Sequence, residues 1–214
     1  MGQIPRLRDS SRRITDELYP LNRISDELIV KLGGYFIYLI YTDHKDITGS
    51  DWGDAFSDAI GGVHLDSPIG IADVVLGRQA WSMKTVKLAN PGSARKIRLI
   101  SGRCSPDYSY GITDPHADIQ RTGEAVLGIW NERVNIAQDH YSNVRSSILV
   151  RSPDLRSYCL FEEENHRYRT SDYKWEVNDN GNLIGKHRER RRSALLGNLM
   201  VLNSLFMFPF LPMP

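Results

Sequence analysis

The spacing of apolar residues in the N-terminal part of the chain is first helical and then continuous. Helical periodicity over residues 16–32 predicts a helix that ends at the pair Gly33-Gly34, because glycine is a common helix stop. The apolar run YFIYLIY at 35–41 then predicts a buried strand. Periodicity alone is also compatible with a helical extension through this run.

A second helix is predicted to end at about Ile60, with Thr48 or Ser50 as its N-cap. Its apolar stripe consists of Trp52, Ala55, Phe56 and Ala59, and the pair Gly61-Gly62 closes it. The following VHLDSPIG contains Pro68 and Gly70, which indicate a turn or the beginning of a strand.

Residues 71–87, IADVVLGRQAWSMKTVK, have the pattern of a β-hairpin. Gly77-Arg78 fit the central positions of a type II′ turn, which requires glycine first. This turn fixes the register: Val74 faces Trp81, and Asp73 faces Ser82.

The second half of the chain contains both strand-like and helix-like patterns of apolar residues. A further strand (KIRLIS), a long surface loop (SPDYSYGITDPHAD) and a long amphipathic helix over 118–143 are predicted. Strand signals follow in SSILVRS, YCLFEEE and YKWEVNDNGNLIG, the last broken by a type I′ turn pair at Asn180-Gly181.

Helices and strands mix without a regular βαβ rhythm, which predicts an α/β fold with a central mixed sheet flanked by helices. At 214 residues the chain fits one domain, 1–214. We expect a core at about 50–152, an N-terminal helical segment 1–49 and a C-terminal strand-rich segment 153–214.

The cysteine count and the N-terminal sequence indicate where in the cell the protein is located. The chain has two cysteines, too few for a disulfide framework, and its N-terminus lacks the apolar core of a secretory signal. A cytoplasmic location is therefore expected. The net charge is only +1, so the basic islands RLRDSSRR, ARKIRLISGR and KHRERRR are local features that either contact phosphates or form solvated faces.

The last 22 residues, 193–214, carry no charge and follow the basic run KHRERRR. Their length and flank are compatible with a membrane anchor. Glycine, asparagine and three prolines in this tail disfavour a spanning helix, so no membrane partner is expected.

The hairpin raises a chemical question, because it places Asp73, Ser82 and Lys84 on one face of otherwise apolar strands. A half-buried carboxylate and ammonium are costly unless they pair or bind something. Two interpretations are open. Asp73 and Lys84 form a structural ion pair, or Asp73 binds Mg²⁺ and Lys84 acts on a water that attacks a phosphodiester.

This arrangement resembles the PD-(D/E)XK nuclease core, with an Asp on one hairpin strand and (Asp or Glu)-x-Lys on the next. The likeness covers about 51–151, through DWGDAFSDAI, the hairpin, GEAVLGIWNERVN and SSILVRS, and the length and layout are similar to type II restriction endonucleases. Ser82 departs from the pattern, since it stands where the family usually has Asp or Glu. Some relatives with Ser-x-Lys take the missing acid from the following helix, which makes Glu124 the first candidate here. Asp54 on the preceding helix is the other candidate, and Asp58 could replace it.

The resemblance implies a restriction-endonuclease-like core and Mg²⁺-dependent double-strand cleavage at a short, palindromic DNA sequence. Water would attack without a covalent intermediate, and a homodimer would match the palindrome. Metal ligands would be Asp73 with Glu124 or Asp54, and Lys84 and Ser82 would complete the catalytic set. Expected DNA contacts are Arg95, Lys96, Arg98, Arg103, Tyr108 and Tyr110.

Two rival functions remain open at this stage: a nuclease directed by DNA structure in repair or recombination, and a non-enzymatic tail-anchored or partner-binding domain. The sequence lacks the motifs that are typical of other hydrolase classes. The six histidines show no paired ligand spacing for zinc, and neither a phosphate-binding glycine loop nor a serine nucleophile elbow occurs.

Overall fold

A mixed β-sheet with helices on both faces organises the chain. The computed structural model describes residues 17–93, 104–179 and 181–188, and the backbone of 206–209. The helices are α1 (Asp26–Tyr41), α2 (Gly49–Ile60), α3 (Pro106–Tyr110) and α4 (Ile119–His140). The strands are β1 (Val63–Ile69), β2 (Ala72–Leu76), β3 (Gln79–Lys87), β4 (Asn143–Arg151), β5 (Ser157–Glu164), β6 (Tyr173–Val177), β7 (Leu183–His187) and β8 (Phe206–Pro209).

The strand order of the sheet is β1-β2-β3-β4-β5, with β8 at the edge beside β5. Strands β1, β2 and β3 form an antiparallel meander, and α4 then crosses over so that β4 runs parallel to β3. The expected α/β class with a mixed sheet is therefore confirmed. The predicted strand KIRLIS lies outside the described residues, as does most of the uncharged tail.

Alternation along β3 divides the core into two layers. Trp81 and Met83 pack on one face with α1 and α2, whereas Ala80 packs on the other face with α4. This alternation also confirms the predicted hairpin, since Val74 pairs with Trp81. A positive φ of 55° at Gly77, but not at Arg78, fits the type II′ turn.

The prediction for the N-terminal region was wrong in two respects. Residues 35–41 are helical, and α1 runs without a break through Gly33-Gly34 to Tyr41. The buried side chains recur at helical spacing and pack against the sheet: Leu28, Leu32, Phe36 and Leu39. Burial of this stripe outweighs the low helix propensity of the two glycines. The helix also begins at Asp26, later than predicted.

Helix α2 confirms its predicted boundaries. Thr48 is the N-cap and forms a capping box with Asp51, and Gly61 ends the helix in a left-handed conformation. The Trp52 indole donates a hydrogen bond of 3.1 Å to the Ser147 carbonyl on β4. The helix is therefore fixed to the sheet at its first turn.

Two predictions in the C-terminal half need correction. The predicted surface loop at 105–118 contains the short helix α3. The hairpin β6-β7 is confirmed, but Val177 pairs with Leu183 and the Asn178 amide donates to the Asn182 carbonyl. Its loop therefore has three residues rather than two, with Gly181 at a φ of 74°.

A buried charged network fastens the N-terminal segment to the sheet. Glu162 is fully buried and accepts hydrogen bonds from Tyr19 (2.7 Å), Trp81 (3.0 Å) and Arg145 (3.3 Å). Burial raises the pKa of the Glu162 carboxyl, and these partners oppose the rise. Asn22 adds bonds to the Glu162 backbone, so residues before α1 are held against β5.

Substituting Gly34 tests whether α1 is one continuous helix. A Cβ at this exposed position meets nothing within 4 Å, and its backbone is helical. Gly34→Ala should therefore raise the free energy of unfolding by roughly 0.5–1 kcal/mol in a denaturant titration. Destabilisation would instead support a helix stop at this glycine.

Glu163 should make stability depend on pH. Burial raises the pKa of Glu163 from 4.5 to about 7, and its Oε2 has no hydrogen-bond partner among the described residues. Because the folded state holds the proton more tightly, stability should fall as pH rises from about 4.5 through about 7. Chemical denaturation of Glu163→Gln across this range should show a flatter profile than the wild type, and identical profiles would contradict the assignment.

Candidate active site

A cleft of about 560 Å³ opens where β2 separates from β3. It is lined by residues of α2 and β1 and by the hairpin: Gly49, Ser50, Asp54, His64, Leu65, Asp66, Pro68, Asp73, Met83, Lys84 and Thr85. Asp73 and Lys84, the two residues on which the sequence interpretation depends, therefore face the same cavity. The cleft also contains two further carboxylates, from Asp54 and Asp66.

Asp73 is held at the edge of this cleft by β3. Its Oδ2 accepts a hydrogen bond of 2.8 Å from the Met83 backbone amide and one of 3.2 Å from the Ser82 hydroxyl. The paired register of β2 with β3 ends at Val74↔Trp81, immediately before this point. The Asp73 carboxylate thus accepts a hydrogen bond from a backbone amide of β3 at the point where strand pairing stops. This bond fixes the orientation of the largely buried side chain.

Ser82 does not reach the cleft. It is fully buried, does not line the cleft, and donates its hydroxyl hydrogen to Asp73. It is therefore a positioning residue for Asp73 in this structure. A ligand in the cleft would therefore not contact the Ser82 side chain.

Lys84 lies two positions further along β3, on the half-buried part of the strand. Strand β4 supports this part, since the parallel register continues from Gln79↔Asn143 to Lys87↔Arg151. The Lys84 charge also acts on Cys104, although burial dominates and raises the pKa of that thiol. Lys84 therefore lines the cleft and also influences the buried thiol in the core layer that packs with α4.

Strand β1 forms the wall opposite Asp73 by means of a bulge. Between the pairs His64↔Val74 and Ile69↔Ala72, β1 advances five residues and β2 only two. The extra residues carry Asp66 into the cleft. Arg133 on α4 anchors the adjoining turn with two hydrogen bonds, of 2.9 and 3.0 Å, to the Gly70 carbonyl.

Asp54 faces the cleft from α2, as the sequence predicted, and its Oδ1 lies 2.7 Å from His64 Nδ1. Asp58 does not line the cleft. Glu124 does not line it either; this exposed side chain accepts a hydrogen bond of 3.0 Å from Gln120 on the same helix. Of the acids proposed to complement Asp73, Asp54 is the one that the fold brings to the cavity.

Sequence reasoning missed His64 and Asp66. The polar residues His64 and Asp66 within the strand-like stretch VHLDSPI were an available signal. The register that brings β1 beside β2 depends on long-range pairing and could not be read from this stretch alone.

The expected DNA contacts are only partly described. Arg95, Lys96, Arg98 and Arg103 lie outside the described residues. Tyr108 on α3 is fully exposed, whereas Tyr110 is about half exposed and its hydroxyl rests over Gly128 of α4. Neither tyrosine lines the cleft.

The side chains that could bind a metal ion in the cleft are dispersed along its wall. Among residues 17–93, 104–179 and 181–188, no three His, Cys, Asp or Glu side chains converge in a group that could hold a metal ion. Mg²⁺ needs fewer protein ligands, since it keeps waters and binds through one or two carboxylates and substrate phosphates. Asp54, Asp66 and Asp73 line the cleft, and one or two of these carboxylates would be enough for such an ion.

Comparisons with protein-family models, curated proteins and solved structures found no match for this chain. The described part of the chain also contains no helix long and apolar enough to cross a bilayer.

The position of Ser82 can be tested by two substitutions. Ser82→Ala should lower the free energy of unfolding by about 1.5–3 kcal/mol, because it removes a buried hydrogen bond to a charged group. Ser82→Asp should be more destabilising, since it buries a second carboxylate beside Asp73. Denaturant titration measures both, with exposed Ser93→Ala as the control. A fully stable Ser82→Asp protein would contradict the buried placement.

Proposed function

We propose that this protein is a type II restriction endonuclease, a Mg²⁺-dependent endodeoxyribonuclease that makes double-strand cuts at a specific short palindromic sequence. The observation that carries the proposal is the position of Asp73 and Lys84 in one cleft, at the point where β2 leaves β3. A structural ion pair alone would not require a cavity of this size with two more carboxylates in its wall.

The order of elements supports the proposal. Helix α2 precedes the meander β1-β2-β3, and α4 then leads to β4 parallel to β3. This order corresponds to the helix, hairpin, helix and strand of the PD-(D/E)XK core that the sequence resembles. A restriction-endonuclease-like core and the partners that go with it, double-stranded DNA and a second copy of the chain, are parts of the proposal.

Different residues of the cleft would have different roles in phosphodiester hydrolysis. Asp73 and Asp54 would hold Mg²⁺, which when bound supplies positive charge to the phosphate and acidifies a coordinated water. Ser82 and the Met83 amide keep the Asp73 carboxylate in place. Lys84 would donate hydrogen bonds to a phosphate oxygen or to the attacking water.

The reaction then needs no covalent intermediate. A water oxygen forms a bond to phosphorus as the bond from phosphorus to the opposite, departing sugar oxygen breaks. The attacking water would release a proton to solvent, and the departing oxygen would take one up from solvent. The lysine ammonium would stabilise the negative charge that grows on the phosphate during this exchange. The cavity is partly open to solvent, as access by a strand of DNA requires.

Incubation of purified protein with plasmid DNA, with Mg²⁺ and then with EDTA, tests the proposal. We expect discrete fragments with Mg²⁺ and none with EDTA. Asp73→Asn and Lys84→Ala should each reduce the cleavage rate by about 10²-fold or more while the circular dichroism spectrum stays unchanged. The matched controls Asp139→Asn and Lys174→Ala change exposed residues outside the cleft and should retain the rate.

Scattered rather than discrete fragments would favour a nuclease directed by DNA structure. Full activity in either cleft variant would overturn the site. Folded wild-type protein that cuts no DNA with Mg²⁺ would favour a structural Asp73–Lys84 pair in a binding domain.

A further inference from the structure

We infer that Gly53, Asp54 and His64 form one unit, in which His64 is a positioning residue that orients the Asp54 carboxylate toward the cleft. The inference rests on the proposed function, because it names what prepares the second carboxylate to act beside Asp73. It adds a role for two residues, one glycine and one histidine, that no sequence motif indicated.

The hydrogen bond between the two side chains has a definite direction. His64 Nδ1 lies 2.7 Å from Asp54 Oδ1, and both residues line the cleft. An ionised carboxylate can only accept a hydrogen bond, so Nδ1 carries the hydrogen and donates it. The bond joins β1 to α2 and leaves the second carboxylate oxygen of Asp54 outside this contact.

Gly53 allows the histidine ring to reach this position. An ideal Cβ at residue 53 would lie 2.5 Å from both Cε1 and Nε2 of His64, so the ring rests directly on the helix backbone. Gly53 lies inside α2 and does not have a positive φ. Since its backbone conformation suits any residue, the glycine is explained by the ring and not by the helix, where it costs up to about 1 kcal/mol relative to alanine.

The helix cannot easily move away to admit a side chain at residue 53. The adjacent Trp52 is fully buried and bonded to the Ser147 carbonyl, and the capping box at Thr48 fixes the first turn. The Asp54 side chain is about half exposed and has no such packing of its own. Its orientation therefore depends on the bond from His64, in the way that outer partners orient metal-ligating side chains.

Binding of Mn²⁺ in the absence of DNA, measured by calorimetry, tests the inference without recourse to cleavage. His64→Ala should weaken Mn²⁺ binding by about 10–100-fold. His64→Asn should restore most of the affinity, because its amide places an N–H donor near the position of Nδ1. Exposed His140→Ala is the matched control and should bind Mn²⁺ as the wild type does.

Gly53→Ala provides an independent second variant. Although alanine favours the helix, its Cβ should displace the His64 ring and weaken Mn²⁺ binding in the same direction as His64→Ala. Gly34→Ala, at a helical glycine with open space around it, should leave the affinity unchanged. Thermal unfolding of each variant shows whether the fold is intact.

The results separate this inference from the proposed function. Wild-type affinity for Mn²⁺ in both folded variants, His64→Ala and Gly53→Ala, would overturn the positioning role even if the protein cuts DNA. Weakened binding in both, with rescue by asparagine, would support it. If the wild type binds Mn²⁺ in this way but cuts no DNA, the nuclease assignment fails and the positioning unit stands.

Discussion

The candidate site depends on one carboxylate at the end of the pairing between β2 and β3. Asp73 accepts the Met83 amide with its side chain at the point where the paired register of the two strands ends. Strand β3 continues beyond this point, because β4 pairs with it along its whole length. The cleft lies beside this point, so the residue at the end of the pairing also lines the cavity that a ligand would enter.

The rest of the fold makes this edge rigid. On one face of the sheet, Trp52 ties α2 to β4, and Glu162 joins Trp81, Arg145 and Tyr19 in a buried network. On the other face, Arg133 of α4 holds the turn between β1 and β2. Sites built on strands and helices that are fixed in this way are held more precisely than sites on loops. The cost is a set of buried charged groups whose partners must all be present, because an unpaired buried charge is strongly destabilising.

Local signals explain which parts of the structure could be predicted from the sequence. Gly77 determined the hairpin register, and Thr48 with Gly61 determined the ends of α2, because each acts through its own backbone conformation or its own hydrogen bonds. Helix α1 was misread because Gly33-Gly34 resemble a stop, whereas the buried stripe from Leu28 to Leu39 decides the outcome through tertiary packing.

The residues of the candidate site also differ in whether local sequence patterns could predict them. Asp73 and Lys84 follow from alternation within a single hairpin, whereas Asp54 was chosen by resemblance to the nuclease core. His64 reaches the cleft through the regular pairing of β1 with β2, and Asp66 through the bulge that follows it, and both depend on pairing between strands. Glu124 was chosen by resemblance alone, and the fold directs it away from the cavity toward Gln120. The role of Ser82 likewise required its burial to be known.

The central claim is that the cleft beside Asp73 is a divalent-cation site for phosphodiester chemistry. Anomalous diffraction from crystals grown with Mn²⁺ and a short DNA duplex tests it most directly. The account predicts a Mn²⁺ peak about 2.1 Å from an Asp73 carboxylate oxygen, the distance typical of Mg²⁺ ligands, with a DNA phosphate bound to the same ion. A well-ordered complex whose metal and phosphate lie away from Asp73 and Lys84 would contradict it.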